Sequence, residues 1–247
     1  MASGNALEAI LHQVGKEPGI LIREACIGPY WMAISSRRCG LASAPHIGHD
    51  RPAEFRALQR AQLVGQVAAE VAQWVFSTDP ELAAAGMAAI NSLIEPDMAR
   101  CQEVNARDIL LEKGRNRRVA MIGHFPFTEE LRAAAGQLWV LELHPRPGDL
   151  PADRAIDIIP QADVVAVTAV TLINHTFDHL IALCRPDAYV VLLGGSAPLS
   201  PALFDFGVDV IGGTIVDDPN LIMEDIARGA TFRQLRGKRP LLMFRDI

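Results

Sequence analysis

Short apolar segments alternate with helical segments through the second half of the chain, and this alternation constrains the fold more than any other feature. The apolar segments lie at 118–123, 138–141, 164–168, 189–193 and 208–211. The β-branched run at 164–168 is typical of a strand that is buried on both faces. Strands that alternate with helices need crossover connections, so the sequence predicts an α/β fold with a mostly parallel sheet and flanking helices.

The first half of the chain has a different pattern. Its first predicted elements are one helix and three strands, at 6–14, 20–22, 30–34 and 39–43. Apolar residues from Phe55 to Val75 recur at spacings of three and four, which is typical of a helix. A further helix is predicted to begin at Pro80, because Asp79 can cap its free amides. Strands followed by helices indicate an α+β unit, so we predict two domains, at 1–105 and 106–247.

Composition and charge exclude several classes of protein. A formal net charge of −6 over 247 residues argues against a nucleic-acid partner. The four cysteines lack the paired spacing of a metal site and are expected to be reduced thiols of a cytoplasmic protein. No apolar run reaches the roughly 18 residues of a membrane helix, and no export signal is expected, so we predict no membrane partner. A homodimer is the commonest soluble assembly.

Polar residues follow the strand predicted at 164–168, at the sheet edge where open α/β sheets bind ligands. His175 and His179 are four residues apart, and a helix would place both imidazoles on one face. Thr176 stands where a zinc protease needs a glutamate, so that function is excluded. Thr171, Asn174 and Thr176 are the stronger candidates for orienting a ligand, while Thr171 or Asn174 also fits a helix cap.

Two further strand ends carry a partial nucleotide-binding pattern. Gly123 follows one predicted strand, and Glu142 ends the next at the spacing of a ribose-binding carboxylate. The other glycines of a dinucleotide motif are missing, and Pro126 removes one backbone donor. The pattern is equally compatible with a tight turn and a strand-end carboxylate.

A small-residue loop and four possible metal ligands complete the candidates. The loop contains Gly194, Gly195, Ser196 and Pro198, where glycine permits the close approach of a ligand and backbone amides can form an anion site. The candidate metal ligands are imidazoles and one carboxylate, at His124, Glu142, His144 and His175, with His46 or His49 as additional donors from the first half.

The chain also resembles a known family. The resemblance is carried by the runs 171–176, 194–199 and 204–209 with Gly212 and Gly213, and by 88–91 in the first half. These runs resemble the family described as putative heavy-metal chelation. The resemblance implies an enolase N-terminal-like domain, a Rossmann-like domain, and a ligand site in the cleft between them.

Site positions carried over from this family are mostly small or polar. They are Gly123, Glu142, Thr168, Asn174, Thr176, Gly195, Ser196 and Pro198. The chain departs from the family pattern at Gly194, where proline is usual, and at His175, where a small residue is common. Both departures lie at the expected site, so the family resemblance does not determine the ligand of this chain.

Three functions follow from these patterns. The first is binding of a small ligand, a divalent or heavy-metal ion, or a metal chelate in an interdomain cleft. The second is an enzyme that uses S-adenosylmethionine or a nucleotide, held by Gly123 and Glu142. The third is a non-catalytic sensor or carrier whose domains close on a small organic anion. The sequence identifies neither the cofactor nor a reaction.

Overall fold

Two β-sheets organise the protein. The computed structural model describes residues 4–15, 19–45 and 62–246. These residues form a three-stranded antiparallel sheet and a separate, mostly parallel sheet of eight strands. The predicted α/β fold class is therefore confirmed. Phe55, His46 and His49 lie outside the described residues.

The small sheet and its helices come from the first half of the chain. Their bounds are α1 (Ala6–Val14), β1 (Glu24–Ile27), β2 (Trp31–Ser35), β3 (Cys39–Ser43), α2 (Ala68–Ala72) and α3 (Pro80–Leu93). The predicted strand at 20–22 is wrong, since β1 begins at Glu24. The apolar run pairs with another segment instead: the Ile22 N–H donates to the Gln66 carbonyl, and the Ala68 N–H donates to the Ile20 carbonyl.

The helix predicted up to Val75 is shorter than expected. In the described residues it begins only at Ala68, and a 3-10 helix, Gln73–Phe76, continues it. Gly65 has a φ of +86°, which an α-helix cannot accommodate, so the chain turns before α2. Leu63 is buried all the same, because it packs into the core from this turn. Part of the helix-like spacing of apolar residues in this segment therefore belongs to a buried turn and not to a helix.

Helix α3 begins where its sequence predicts. The Asp79 carboxylate accepts hydrogen bonds from the Glu81 and Leu82 N–H groups, and Pro80 occupies the first turn. A Cβ placed on Gly86 would lie 2.1 Å from the Val75 backbone nitrogen. Glycine therefore permits α3 and the preceding 3-10 helix to pack backbone against backbone.

The large sheet has the order β4-β11-β10-β9-β8-β5-β6-β7. Its strands are β4 (Cys101–Gln102), β5 (Arg118–Ile122), β6 (Gln137–Glu142), β7 (Leu150–Pro151), β8 (Val164–Thr168), β9 (Tyr189–Leu193), β10 (Val210–Val216) and β11 (Lys238–Phe244). All neighbours from β10 to β7 are parallel, whereas β11 is antiparallel to both β10 and β4.

Helices flank the large sheet. They are α4 (Ala106–Gly114), α5 (Thr128–Ala134), α6 (Ala155–Ile158), α7 (Val170–Ile173), α8 (Phe177–Ala182) and α9 (Pro219–Ala227). Asp218 precedes Pro219 in the same cap-then-proline pattern that marks the start of α3, and it caps α9 by accepting from the Asn220 and Leu221 N–H groups. The segment Pro201–Phe206 is a 3-10 helix, and Ser200 makes no side-chain cap there.

The strand order reverses at β5. From β5 the chain runs to β6 and β7 on one side and then returns to β8 on the other side. Such a reversal opens a crevice at the carboxyl ends of the two central strands, here β5 and β8. The domain boundary at residue 105 remains a prediction, and β4, which precedes it, pairs with β11.

The two sheets share one hydrophobic core. Buried residues of α1 and α3 form a continuous cluster with buried residues of β8 and β9, including Ile10, Ile90, Val165 and Val190. A separate cluster joins the small sheet to α9 through Ala33, Leu41 and Ile226, among others. Among the described residues, no helix is long and apolar enough to cross a membrane.

Candidate functional site

The carboxyl ends of β5 and β8 lie against each other. Gly123, directly after β5, has a φ of +94°, and a Cβ at this position would lie 3.1 Å from Cγ2 of Thr168. Gly194 directly follows β9, the strand next to β8, and has a φ of +138°. A Cβ placed on Gly194 would lie 3.7 Å from the Ala169 Cβ. Left-handed glycines at two strand ends leave the backbone accessible where the crevice opens.

His124 is held at this edge by a buried carboxylate. Its Nε2 lies 2.8 Å from Oδ2 of Asp149, and the two side chains are 17% and 2% exposed, respectively. The loop after β6 returns Asp149 to this position, where the Arg146 N–H also donates to Oδ2 at 2.9 Å. The turn that follows β5 therefore carries an imidazole with a fixed orientation.

The surroundings of Asp149 keep it ionised. Burial acts to raise the pKa of this carboxyl, but the Arg146 N–H and the His124 ring hydrogen bond to it and outweigh burial, so its pKa lies below the ordinary value. A carboxylate bonded to one ring nitrogen orients the imidazole and leaves the other nitrogen, Nδ1, for a ligand or a proton.

Asp149 was not among the predicted site residues. It stands in the run Pro145-Arg146-Pro147-Gly148-Asp149, which the sequence marks only as a loop. The available signal was Gly148, whose φ of +95° turns the chain immediately before the carboxylate. A proline- and glycine-rich loop that ends in aspartate, next to a strand-end histidine, is the pattern that would have indicated the pair.

Glu142 and His144 are separated by the end of a strand. Glu142 is the last residue of β6 and lies opposite Pro151 of β7. His144 is exposed and follows the strand, so the alternation of a strand, which would put Glu142 and His144 on the same side, does not extend to it. Glu142 therefore lies at the same sheet edge as Gly123, one strand away.

The polar residues after β8 bond mainly to their own turn. The Thr171 hydroxyl, which is buried, donates to the Thr168 carbonyl at 2.6 Å as α7 begins. The Asn174 Oδ1 accepts from both the N–H and the hydroxyl of Thr176. The predicted helix cap is not formed: the Thr171 hydroxyl donates to a carbonyl instead of accepting from a free amide, and neither α7 nor α8 has a side-chain cap. Asn174 accepts from the residue just before α8 and is exposed at the surface.

The predicted stacking of His175 and His179 on one helix face is wrong. Helix α8 begins at Phe177, and His175 lies before it with a left-handed φ of 62°. His175 instead contacts the other half of the chain, with Nε2 2.7 Å from the Val75 carbonyl oxygen.

The loop after β9 packs against the small sheet. A Cβ on Gly195 would lie 2.6 Å from Phe232 and 2.7 Å from Trp31. The Ser196 hydroxyl accepts a hydrogen bond from the Ser43 N–H at 2.7 Å, and Asn91 Nδ2 donates to the Ser196 carbonyl. Ser196 and Pro198 are buried. This side of the sheet edge is therefore covered, whereas His124 and Thr168 remain partly exposed.

Comparison with known proteins gives the family. Two family models, both described as putative heavy-metal chelation, match residues 8–94 and 105–241, and the second spans more than half of the chain. The chain belongs to the DUF364 family. No curated protein matches it at a significant level.

Two solved structures from the DUF364 family have a similar fold. A protein of unknown function from Desulfitobacterium hafniense DCB-2 aligns with a TM-score of 0.83 and 23% identity, over 96% of this chain and 97% of its own. A second, from Pyrococcus horikoshii, aligns with a TM-score of 0.78 and 16% identity, over 97% and 100% of the two chains. At these identities the likeness supports the fold alone.

The described residues do not fit a bare metal ion, despite the description of the DUF364 family. A protein site for such an ion usually supplies three or four donors. Within 4–15, 19–45 and 62–246, no group of three or more His, Cys, Asp and Glu side chains is close enough to hold one. The structure thus does not gather His124, Glu142, His144 and His175 into one set of ligands. His46 and His49 lie outside these ranges.

Proposed function

We propose that this chain binds a small polar organic ligand at the carboxyl edge of the large sheet, between the ends of β5 and β8. The observation that carries the proposal is the His124–Asp149 pair, at 2.8 Å, directly after the left-handed Gly123. Because the buried carboxylate already holds the imidazole in one orientation, little conformational entropy is lost when a ligand binds. The reversal of strand order at β5 puts this pair where α/β sheets bind ligands.

A metal ion enters this proposal as cargo, already held by an organic chelator. A chelated ion with an open position needs only one donor from the protein, and the second nitrogen of His124 supplies one. The hydrogen bond to Asp149 is the kind of outer partner that orients histidine ligands. This form of the proposal agrees with the description of the family as heavy-metal chelation.

The test compares a chelate with a bare ion on the untagged full chain. Calorimetric titration with Ni²⁺–nitrilotriacetate is expected to show a site that His124→Ala loses and that His179→Ala keeps, since His179 is an exposed histidine of α8. Free Ni²⁺ tests the alternative of a site built from protein ligands alone. Native mass spectrometry of the purified chain searches for a ligand that co-purifies. Equal binding of the chelate by wild type and His124→Ala would overturn the assignment to this pair.

A second candidate is a nucleotide or S-adenosylmethionine. The observation that favours it is Glu142, at the end of β6, beside the strand that leads to Gly123. A carboxylate in this position holds a ribose hydroxyl in dinucleotide-binding folds. Titration with S-adenosylmethionine and ATP tests it: binding must weaken in Glu142→Gln and persist in Glu129→Gln, which alters an exposed carboxylate of α5.

A further inference from the structure

A cavity lies apart from the sheet edge. It has a volume of about 200 Å³ and lies where the start of α1, the end of the 3-10 helix at Phe76 and the α7–α8 turn meet. At roughly 30 Å³ per water in the liquid, this equals about six or seven waters. Gly123, His124 and Asp149 do not line it. The cavity is therefore separate from the site proposed above.

The wall of this cavity is fixed by contacts between distant segments. The His175 Nε2 lies 2.7 Å from the Val75 carbonyl, and the His175 backbone is left-handed, with a φ of 62°. From the other side, the Ala6 N–H donates to Oδ1 of Asp178 at 3.0 Å. A strained backbone that is held by a long-range hydrogen bond is a feature of ligand sites.

Hydrogen-bond acceptors and rings dominate the lining. Among the described residues that line the cavity, Asp178 is the one carboxylate, and none is Lys or Arg. Its Oδ1 accepts from Ala6, which leaves Oδ2 as an acceptor. The Thr171 hydroxyl donates its proton to the Thr168 carbonyl, so its oxygen too faces a ligand only as an acceptor. Phe76 and Phe177 supply aromatic surface.

We propose that this cavity binds a small organic ammonium compound. A cation supplies the donors that Asp178 and Thr171 lack, and its charge is attracted by one carboxylate and by aromatic rings. An organic anion would meet the Asp178 charge with no Lys or Arg among the described lining residues to offset it. A volume of about 200 Å³ accommodates a compound of the size of choline or ethanolamine.

The charge of the ligand is tested with matched probes on the full chain. Choline and ethanolamine are titrated beside 3,3-dimethyl-1-butanol, which has the shape of choline without its charge. NMR shift changes are expected at Phe76 and His175 with an amine and to be at least about tenfold weaker with the neutral alcohol, as a cation–π and ion-pair contact predicts. Equal binding of choline and the alcohol would overturn the proposal, as would no binding of either amine.

The site is tested with three variants. Asp178→Asn removes the charge but keeps an oxygen that accepts from Ala6, and Phe76→Leu removes a ring that is 42% exposed. Both are expected to weaken amine binding about tenfold without unfolding the chain. Asp153→Asn removes an exposed carboxylate of another 3-10 helix and is expected to leave binding unchanged. An equal loss in Asp153→Asn, or unchanged binding in Asp178→Asn, counts against the cavity.

Discussion

At the scale of single residues, Asp149 links the site to the stability of the fold. Burial acts to raise its pKa, but the hydrogen bonds from the Arg146 N–H and from His124 lower the pKa by more than burial raises it. The folded-state pKa therefore lies below the unfolded value. Its stabilising effect is therefore complete above the unfolded pKa and is lost as the pH falls through the folded one. We expect Asp149→Asn to cost about 1–2 kcal/mol at neutral pH, and less in acid, as urea unfolding of both proteins measures.

The control for this prediction is a carboxylate with no such contacts. Asp153→Asn changes an exposed side chain and is expected to alter stability by less than about 0.5 kcal/mol at neutral pH. If the stability difference between wild type and Asp149→Asn stays constant from neutral to acidic pH, the proposed ionisation is wrong. Because the comparison uses the difference in stability between two proteins, the pH-dependent contributions of the other carboxylates cancel.

The sequence predicted residues at strand ends better than the partners that bind them. Gly123 and Glu142 follow apolar runs, and the ends of such runs locate the edge of a sheet. Asp149 and Ser196 take their roles from long-range contacts, with His124 and with Ser43 respectively. No spacing rule covers those contacts, because they depend on how a loop folds back and on how two sheets pack.

At the scale of elements, the contact between α3 and the 3-10 helix before it requires a glycine. A Cβ on Gly86 would meet backbone atoms, at 2.1 Å from the Val75 nitrogen and 2.7 Å from the Trp74 carbonyl carbon. Backbone cannot move aside as a side chain can, so we expect Gly86→Ala to cost about 3 kcal/mol or more, despite the higher helix propensity of alanine. Chemical denaturation measures the loss.

Gly114 is the matched comparison. It is the last residue of α4, and a Cβ there would meet only side-chain methyl groups, 3.0 Å away on Val119 and 3.1 Å away on Leu131. These groups can shift by a few tenths of an ångström, so Gly114→Ala is expected to cost about 1 kcal/mol or less. Similar losses in the two variants would show that backbone contact does not determine the requirement at Gly86.

Elements with strong end signals were predicted well, and elements defined by their partners were not. Asp79 and Pro80 marked the start of α3, and Asp218 marked that of α9. Strands β4 and β7 have two residues each, too few for any periodic pattern, and β11 follows a polar segment and contains Pro240. Their existence depends on the neighbouring strand that each one pairs with.

At the scale of the whole molecule, the two sheets are expected to unfold together. They share one buried cluster, to which α3 contributes Ile90 and the large sheet contributes Val165. The alternating pattern of the second half predicted the large sheet, but nothing in the sequence predicted that the loop after β9 would pack on the small one. If one half unfolded alone, the apolar surface of the other half that it covers would be exposed to water. The shared core therefore makes independent unfolding of either half unfavourable.

Asn91 tests this coupling. Its Nδ2 donates to the Leu41 carbonyl of the small sheet at 2.8 Å and to the Ser196 carbonyl of the β9 loop at 3.0 Å. Asn91→Asp replaces the donor with a negative oxygen that repels both carbonyls. We expect a loss of about 2–4 kcal/mol, with tryptophan fluorescence and far-UV circular dichroism still reporting one coincident transition.

The matched control is another Asn→Asp change, at a position where only the acceptor oxygen is used. Asn105 caps α4 by accepting from the Arg107 N–H, and aspartate caps a helix equally well. Asn105→Asp is therefore expected to change stability by less than about 0.5 kcal/mol. Two separate transitions in the wild-type protein would show that the shared core does not couple the sheets. A loss in Asn91→Asp no larger than that in Asn105→Asp would show that the amide bridge does not hold them together.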